Sequence, residues 1–299
     1  MKTAIKNLSM GGLWLLLVGV SSVAAYAQIG EMGYNPNSVR GEQRVVYGQP
    51  IYEDDIMYRT TVWRKINLQE KQNLPFFAMN NEITRVIIDA VQAGELKPYF
   101  YSIDPRSDGV SQEMDLEKFN DKFSYYNEDI GENVAVRPRD LFMLEMKEDL
   151  LFDRRRSRMY WDIQTVTIII PAGVTGQPFE TQLASFKFKD LYAFFDKKYK
   201  ESLVKGDDKA KGGTIEAVRA FWYNPQNPKR HMSLADAFEL RLFSSRISKV
   251  SNPRDQSIVE IVNEEYAGSQ NVDQALKVLY MSQKIEYDLM EYEHNLWEF

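Results

Sequence analysis

Chemistry in a protein needs nucleophiles, acid–base groups or metal ligands at workable spacings, and this chain offers few. It has no cysteine. That excludes thiol nucleophiles, thiolate metal sites and disulfides together. Its two histidines are His231 and His294. Glu291 and His294 stand at i and i+3, so a helix would carry both on one face, as in carboxylate-bridged metal sites. Such a site needs a second Glu-x-x-His, but Pro228 occupies that position before His231. No metal is expected. Neither histidine has the setting of a Ser/His/Asp triad. There is no Gly-x-Ser-x-Gly elbow and no Gly-x-x-x-x-Gly-Lys phosphate loop. Residues 206–214 hold Lys, Gly and Thr in another order and read as a solvated loop. Glu53-Asp54-Asp55 and Asp207-Asp208 lack ligand spacing and read as solvated charge. No catalytic residue and no cofactor is expected.

Binding chemistry is better represented. Arg154-Arg155-Arg156-Ser157-Arg158 is a basic cluster. It reads either as an exposed turn before a strand or as a docking surface for an acidic partner or an anionic headgroup. Trp161, Trp222 and Tyr223 could serve as a stacking platform for a ligand. A carboxylate-dependent hydrolase would need two convergent carboxylates in a cleft. These readings stay open at the level of sequence.

The elements around these residues begin with a leader. Lys2 and Lys6 precede a short apolar run, and Ala25-Tyr26-Ala27 forms a small-x-small site. Residues 1–27 therefore read as a secretory signal peptide cut before Gln28. The apolar run is well short of the roughly 20 residues of a membrane span. Without cysteine the exported chain carries no N-terminal lipid. Its formal charge is −6, and loss of Lys2 and Lys6 makes it more acidic still. Nucleic acid is not an expected partner, because phosphate binding needs a dense basic surface. Aromatics reach 13%, which serves either a Tyr/Phe-rich core or extensive interface.

Residues 28–55 are punctuated by Gly30, Gly33, Asn35-Pro36-Asn37, Gly41, Gly48 and Pro50 and read as an irregular, extended arm. A core follows over 56–255, and a helical segment over 256–299. β-Branched and aromatic residues predict a strand at 60–67. Ile83, Val86, Ile87, Ala90 and Val91 predict a helix capped by Asn80 or Asn81 and ended by Gly94. The stretch 141–151 is apolar and acidic and fits helix or strand. Residues 159–170 give a strong strand signal, stopped by Pro171 and Gly173. Residues 183–189 read as a half-exposed strand. The segments 205–213 and 224–228 read as loops. Ser233-Leu234-Ala235-Asp236 opens a helix through Leu242. Asn271 with Gln274 starts the last helix, where Val278, Met281, Ile285, Leu289, Tyr292 and Leu296 form one apolar stripe. Strands and helices mix without regular alternation, so the class is α+β.

Three strings carry a resemblance. Val62-Trp63-Arg64-Lys65-Ile66-Asn67-Leu68-Gln69-Glu70-Lys71-Gln72-Asn73-Leu74-Pro75 comes first. Asp236-Ala237-Phe238-Glu239-Leu240-Arg241-Leu242-Phe243-Ser244-Ser245-Arg246-Ile247-Ser248-Lys249-Val250-Ser251-Asn252 is the second, and Tyr292-Glu293-His294-Asn295-Leu296-Trp297-Glu298-Phe299 closes the chain. In this order they resemble the GldN/PorN family, periplasmic ring components of the type IX secretion system and gliding machinery. Residues 107–130 and 205–213 show no match and read as local insertions. The resemblance implies a non-catalytic structural subunit of the periplasm, held at the outer membrane through partners. Those partners are an outer-membrane lipoprotein of the GldK/PorK type, an inner-membrane motor protein of the GldM/PorM type, and further copies of the chain in a ring. The interaction candidates are Arg154, Arg155, Arg156 and Arg158, with Trp63 and Arg64 in the first string. Leu296, Trp297 and Phe299 at the chain's end complete the set.

Overall fold

The computed structural model describes residues 43–46, 49–102, 104, 107–127, 131–207, 220–227, 231–266 and 273–296. The leader, the arm up to residue 42, positions 208–213, Asn271, Trp297 and Phe299 lie outside the described residues. Backbone contacts divide the chain into two units, Met1–Asp55 and Ile56–Phe299. In the first, β1 (Gln43–Val46) pairs antiparallel with β2 (Gln49–Tyr52). Pro50 is tolerated there because a two-stranded ladder leaves an edge that needs no donor.

The second unit opens with β3 (Ile56–Asn67), the strand that 60–67 predicted. β4 (Phe77–Ala78) and β5 (Asn81–Glu82) form a two-residue ladder, followed by α1 (Ile83–Gln92). Ile83, Val86, Ile87, Ala90 and Val91 are all buried, as their spacing requires. Gly94 at φ +71 ends the helix. The cap differs from expectation, because Glu82 is the capping residue. Asn80 takes a positive-φ turn position, and the Asn81 amide donates to the Phe221 carbonyl at 2.7 Å.

Next come β6 (Tyr99–Tyr101), β7 (Val110–Glu113), α2 (Leu116–Phe123), β8 (Ser124–Asn127) and β9 (Glu132–Ala135). β10 (Met143–Asp153), β11 (Arg158–Ile170) and β12 (Thr181–Lys187) form a meander. β12 starts and ends two residues earlier than the expected strand at 183–189, and Leu183 to Phe186 are all buried rather than half-exposed. Phe188 instead opens α3 (Phe188–Asp207), which buries Leu191, Phe194 and Phe195 at helical spacing. β13 (Phe221–Trp222) pairs with β14 (Met232–Ser233). Ser233 caps α4 (Leu234–Glu239) by accepting from the Ala235 amide. α4 stops short of Leu242 because Arg241 turns to φ +52. β15 (Arg246–Val250), α5 (Ile258–Glu265) and α6 (Gln274–Leu296) complete the chain. The carboxylate of Asp273 accepts from the Ala275 amide and so serves as the observed start of α6.

Seven antiparallel strands form the main sheet, in the order β15-β3-β10-β11-β12-β6-β7. On one face Ile66, Leu144, Met146, Val166, Ile168 and Phe186 join α1, α3 and α4 in the principal core. Toward β15, Val62 joins Ile247, Ile258 and Val262, with Val278, Met281, Ile285 and Leu289 of α6 packed on them. The other face carries Trp63, Glu145, Lys147, Asp149, Thr165, Thr167 and Ser185, and it too is buried. The segment around β6 and β7 covers part of it. Lys147 donates to the Ser107 carbonyl, and Tyr101 hydrogen-bonds Glu145. Gly109, at φ +89, lies so close that a Cβ there would meet Thr165 Oγ1 at 2.5 Å. Burial on both faces is why 141–151 fitted neither period cleanly.

Candidate functional site

Glu148 stands in the middle of β10 and is 0% exposed. A carboxylate so placed must be paired. Arg64 of β3 donates Nε to Oε1 at 2.6 Å. Arg241 donates Nη1 to Oε2 at 2.7 Å and Nη2 to Oε1 at 3.1 Å. The positive φ at Arg241 lets the chain turn out of α4 where this side chain must enter. Arg64 also donates Nη1 to Glu286 Oε1 of α6 at 3.0 Å. Each guanidinium carbon lies 4.8 Å from the Trp161 ring centroid, within cation–π reach.

A register shift in the β10–β11 ladder makes this arrangement possible. Lys147 pairs with Thr165, but Glu148 pairs with Ile163, leaving Gln164 as the extra residue of a bulge. The bulge brings Trp161 opposite Leu150, on the same face as Glu148. Without it the indole would point to the other side of the sheet.

Arg64, Trp161 and Arg241, backed by the buried Glu148, form one wall of a cleft of about 520 Å³ with Leu150 and Gln72. Residues 243–245 and α6 supply the rest, with Tyr287, Leu289, Met290 and Glu293 from the helix. Both oxygens of Glu148 are engaged by guanidinium groups, and no substrate atom can reach that carboxylate. Glu286 is likewise engaged by Arg64. The arrangement locks the sheet, the 241–245 segment and α6 together, and its open side offers an aromatic, thioether and carboxylate surface.

The arginine cluster forms the tip of the β10–β11 hairpin. Asp153, 0% exposed, accepts at Oδ1 from the backbone amides of Arg155 and Arg156. Its Oδ2 accepts from Arg156 Nη1 at 2.6 Å. Arg156 therefore belongs to the fold and is removed from the surface candidates. Arg154, Arg155 and Arg158 are exposed.

Trp63 and Arg64 are corrected in the same way. Trp63 is 5% exposed, with Lys147 Nζ and Lys249 Nζ at 5.0 and 4.8 Å from its ring. Arg64 is 3% exposed and acts through the cleft wall. Neither offers a free contact surface. Leu296 is half-buried at the end of α6.

The stacking platform is not assembled. Trp161 faces the cleft, Trp222 packs on the principal core, and Tyr223 tilts over His231 at 5.0 Å. His231 stacks on Phe221 at 4.4 Å, and its Nδ1 accepts from the Asn224 amide. Among the described residues no group of three or more His, Asp or Glu could hold a metal.

Sequence reasoning missed Glu148, Arg241 and Glu286. Arg241 lay within the second string, but nothing local marked these three residues as meeting. On the sheet's polar face, burial raises the Glu145 carboxyl and the Tyr101 phenol and lowers the Lys147 ammonium.

No helix among the described residues is long and apolar enough to cross a membrane. No curated protein matches the chain. The sequence model of the family described as gliding motility associated protein GldN matches residues 51–298. That match takes in β3 with Arg64, β10 with Glu148, the Arg241 turn and all of α6, so every part of the cleft lies within it. The chain belongs to the GldN family of gliding motility associated proteins.

Proposed function

We propose that this chain is a non-catalytic structural subunit of a periplasmic ring in the type IX secretion system, serving gliding motility as well. In this reading it assembles with an outer-membrane lipoprotein of the GldK/PorK type and contacts the periplasmic part of a GldM/PorM-type motor. It is held at the outer membrane through those partners. The observation that carries the reading is the family match over 51–298. The cleft supports it. The carboxylate sealed behind its wall, Glu148, is saturated by two arginines, which suits a structural lock better than acid–base work. Its open wall carries Trp, Tyr, Met and Arg, the residues enriched at interface centres.

Membrane fractionation with co-purification tests the proposal. The mature chain is expected in a large complex that sediments with outer membranes and contains the lipoprotein. Deleting the gene is expected to stop both secretion and gliding. A chain that stays in the soluble periplasm as a monomer and hydrolyses a substrate would overturn the reading in favour of an enzyme.

A further inference from the structure

The hairpin tip carries three arginines whose guanidinium groups pair with no carboxylate among the described residues. Arg154, Arg155 and Arg158 are exposed. The nearby carboxylate, Asp153, is engaged by Arg156 and two backbone amides. Those bonds also order the turn in advance, so a partner that binds it loses little further chain entropy.

The cleft has the complementary chemistry. Glu148 and Glu286 together balance the charges of Arg64 and Arg241. Glu293 on the same wall adds a carboxylate that pairs with no cation among the described residues. Tyr287 and Met290 flank the opening at 67% and 52% exposure. Arginine stems pack on such surfaces while the heads find carboxylates. A volume of about 520 Å³ falls in the ordinary range of ligand pockets, roughly 300–1,000 Å³.

We infer that the tip of one copy, through Arg154, Arg155 and Arg158, docks in the α6 cleft of a second copy against Glu293, Tyr287 and Met290. The inference rests on the reading of the chain as a self-associating subunit. Because tip and cleft are different surfaces, the contact is heterologous, and each added copy leaves one tip and one cleft free. Such a contact closes into a ring or runs on as a filament.

Charge exchange tests it on the full mature chain. One variant carries Arg154→Glu with Arg155→Glu, the other Glu293→Arg, and sedimentation at low and high salt reads their assembly. The wild type is expected to associate, and less so in high salt. Each variant alone is expected to associate about tenfold more weakly. Mixing the two is expected to restore association, because an acidic tip then meets a basic cleft. Arg154→Gln with Arg155→Gln should give an intermediate loss at an unchanged melting temperature.

Variants that assemble like the wild type would overturn the interface and leave the ring reading standing. So would a mixture no stronger than its parts. A tip variant that keeps its mass and loses only binding to phosphatidylglycerol vesicles would assign the arginines to lipid instead. A wild type that stays monomeric even with the lipoprotein present would remove both the ring reading and this interface.

Discussion

Arg64 and Glu148 form a diagonal ion pair between neighbouring strands, Nε to Oε1 2.6 Å, with side chains 4% and 0% exposed. In the ladder Arg64 faces Met146 and Glu148 faces Val62, so the two are offset by one pair on the same face. Sealing charges in a sheet costs several kcal/mol of desolvation for each ion, about what their attraction returns. What the pair adds is specificity. With Arg241 and Glu286 it holds three segments in one arrangement.

Glu148→Ala is therefore expected to destabilise the chain by about 3 kcal/mol, because Arg241 loses its carboxylate and the buried Arg64 is left with Glu286 alone. Replacing Arg64, Glu148 and Arg241 together by Met, Leu and Met is expected to recover much of that loss. Urea unfolding measures both. A Glu148→Ala chain within 1 kcal/mol of wild type, on the order of an exposed pair, would show the network to be incidental.

The arginine tip separates into two roles. Arg156→Ala strips the guanidinium from Oδ2 of a sealed Asp153, leaving only the two amides on Oδ1, and is expected to cost about 1–3 kcal/mol. Arg154→Ala is expected to stay within about 0.5 kcal/mol of wild type, as surface changes do. Paired thermal melts decide this. Equal melting temperatures would return Arg156 to the free surface.

Glu145 gives the polar face a pH signature. Burial raises its carboxyl, the Glu180 charge adds to this, and the Tyr101 hydroxyl, Lys65 and Lys249 oppose it. Between the ordinary value of 4.5 and the raised one, the folded state holds a proton that the unfolded state has released. Stability from this group is thus full below pH 4.5 and lost as pH climbs through the folded value. Glu145→Gln keeps an acceptor for Tyr101 and removes the ionisation. The variant is expected to lose that downward slope and to be more stable than wild type at neutral pH. An unchanged pH profile would mean the carboxyl is solvated in solution.

Legibility of the sequence followed locality. Residues 60–67 and 159–170 declared themselves because β-branched runs bounded by turns need no distant information. The helix from Ile83 and the α6 stripe did so through spacing. β10 was ambiguous because Glu145, Lys147, Glu148 and Asp149 are buried by contacts made far along the chain, and no local pattern marks a buried polar face. α3 was missed because its buried positions Leu191, Phe194 and Phe195 lie in the first two turns and lysines and acids dominate the residues after them. The candidate site suffered most. Arg64, Glu148, Arg241 and Glu286 are separated by 84 to 222 positions in their closest pairings, and the bulge that turns Trp161 toward them has no local signature.

α6 supplies the last test, because it is apolar on opposite sides. Val278, Met281, Ile285 and Leu289 pack on the sheet and α5. Leu276, Tyr280 and Tyr287 lie about half a turn away, with 41%, 60% and 67% exposure. The inner stripe serves the fold, since full burial of one such side chain is worth about 1.5–3 kcal/mol. Leu289→Ala is accordingly expected to cost about 1–2 kcal/mol, in keeping with its partial burial. Tyr287→Ala removes little from the folded subunit and is expected to leave stability within about 0.5 kcal/mol of wild type. If the outer side is a docking face, that same substitution weakens assembly while the melting temperature holds. Measuring both properties on both variants separates the roles. A Tyr287→Ala chain that melts early would make the ring part of the subunit's own packing. One that melts and assembles like wild type would leave the outer stripe as ordinary exposed surface.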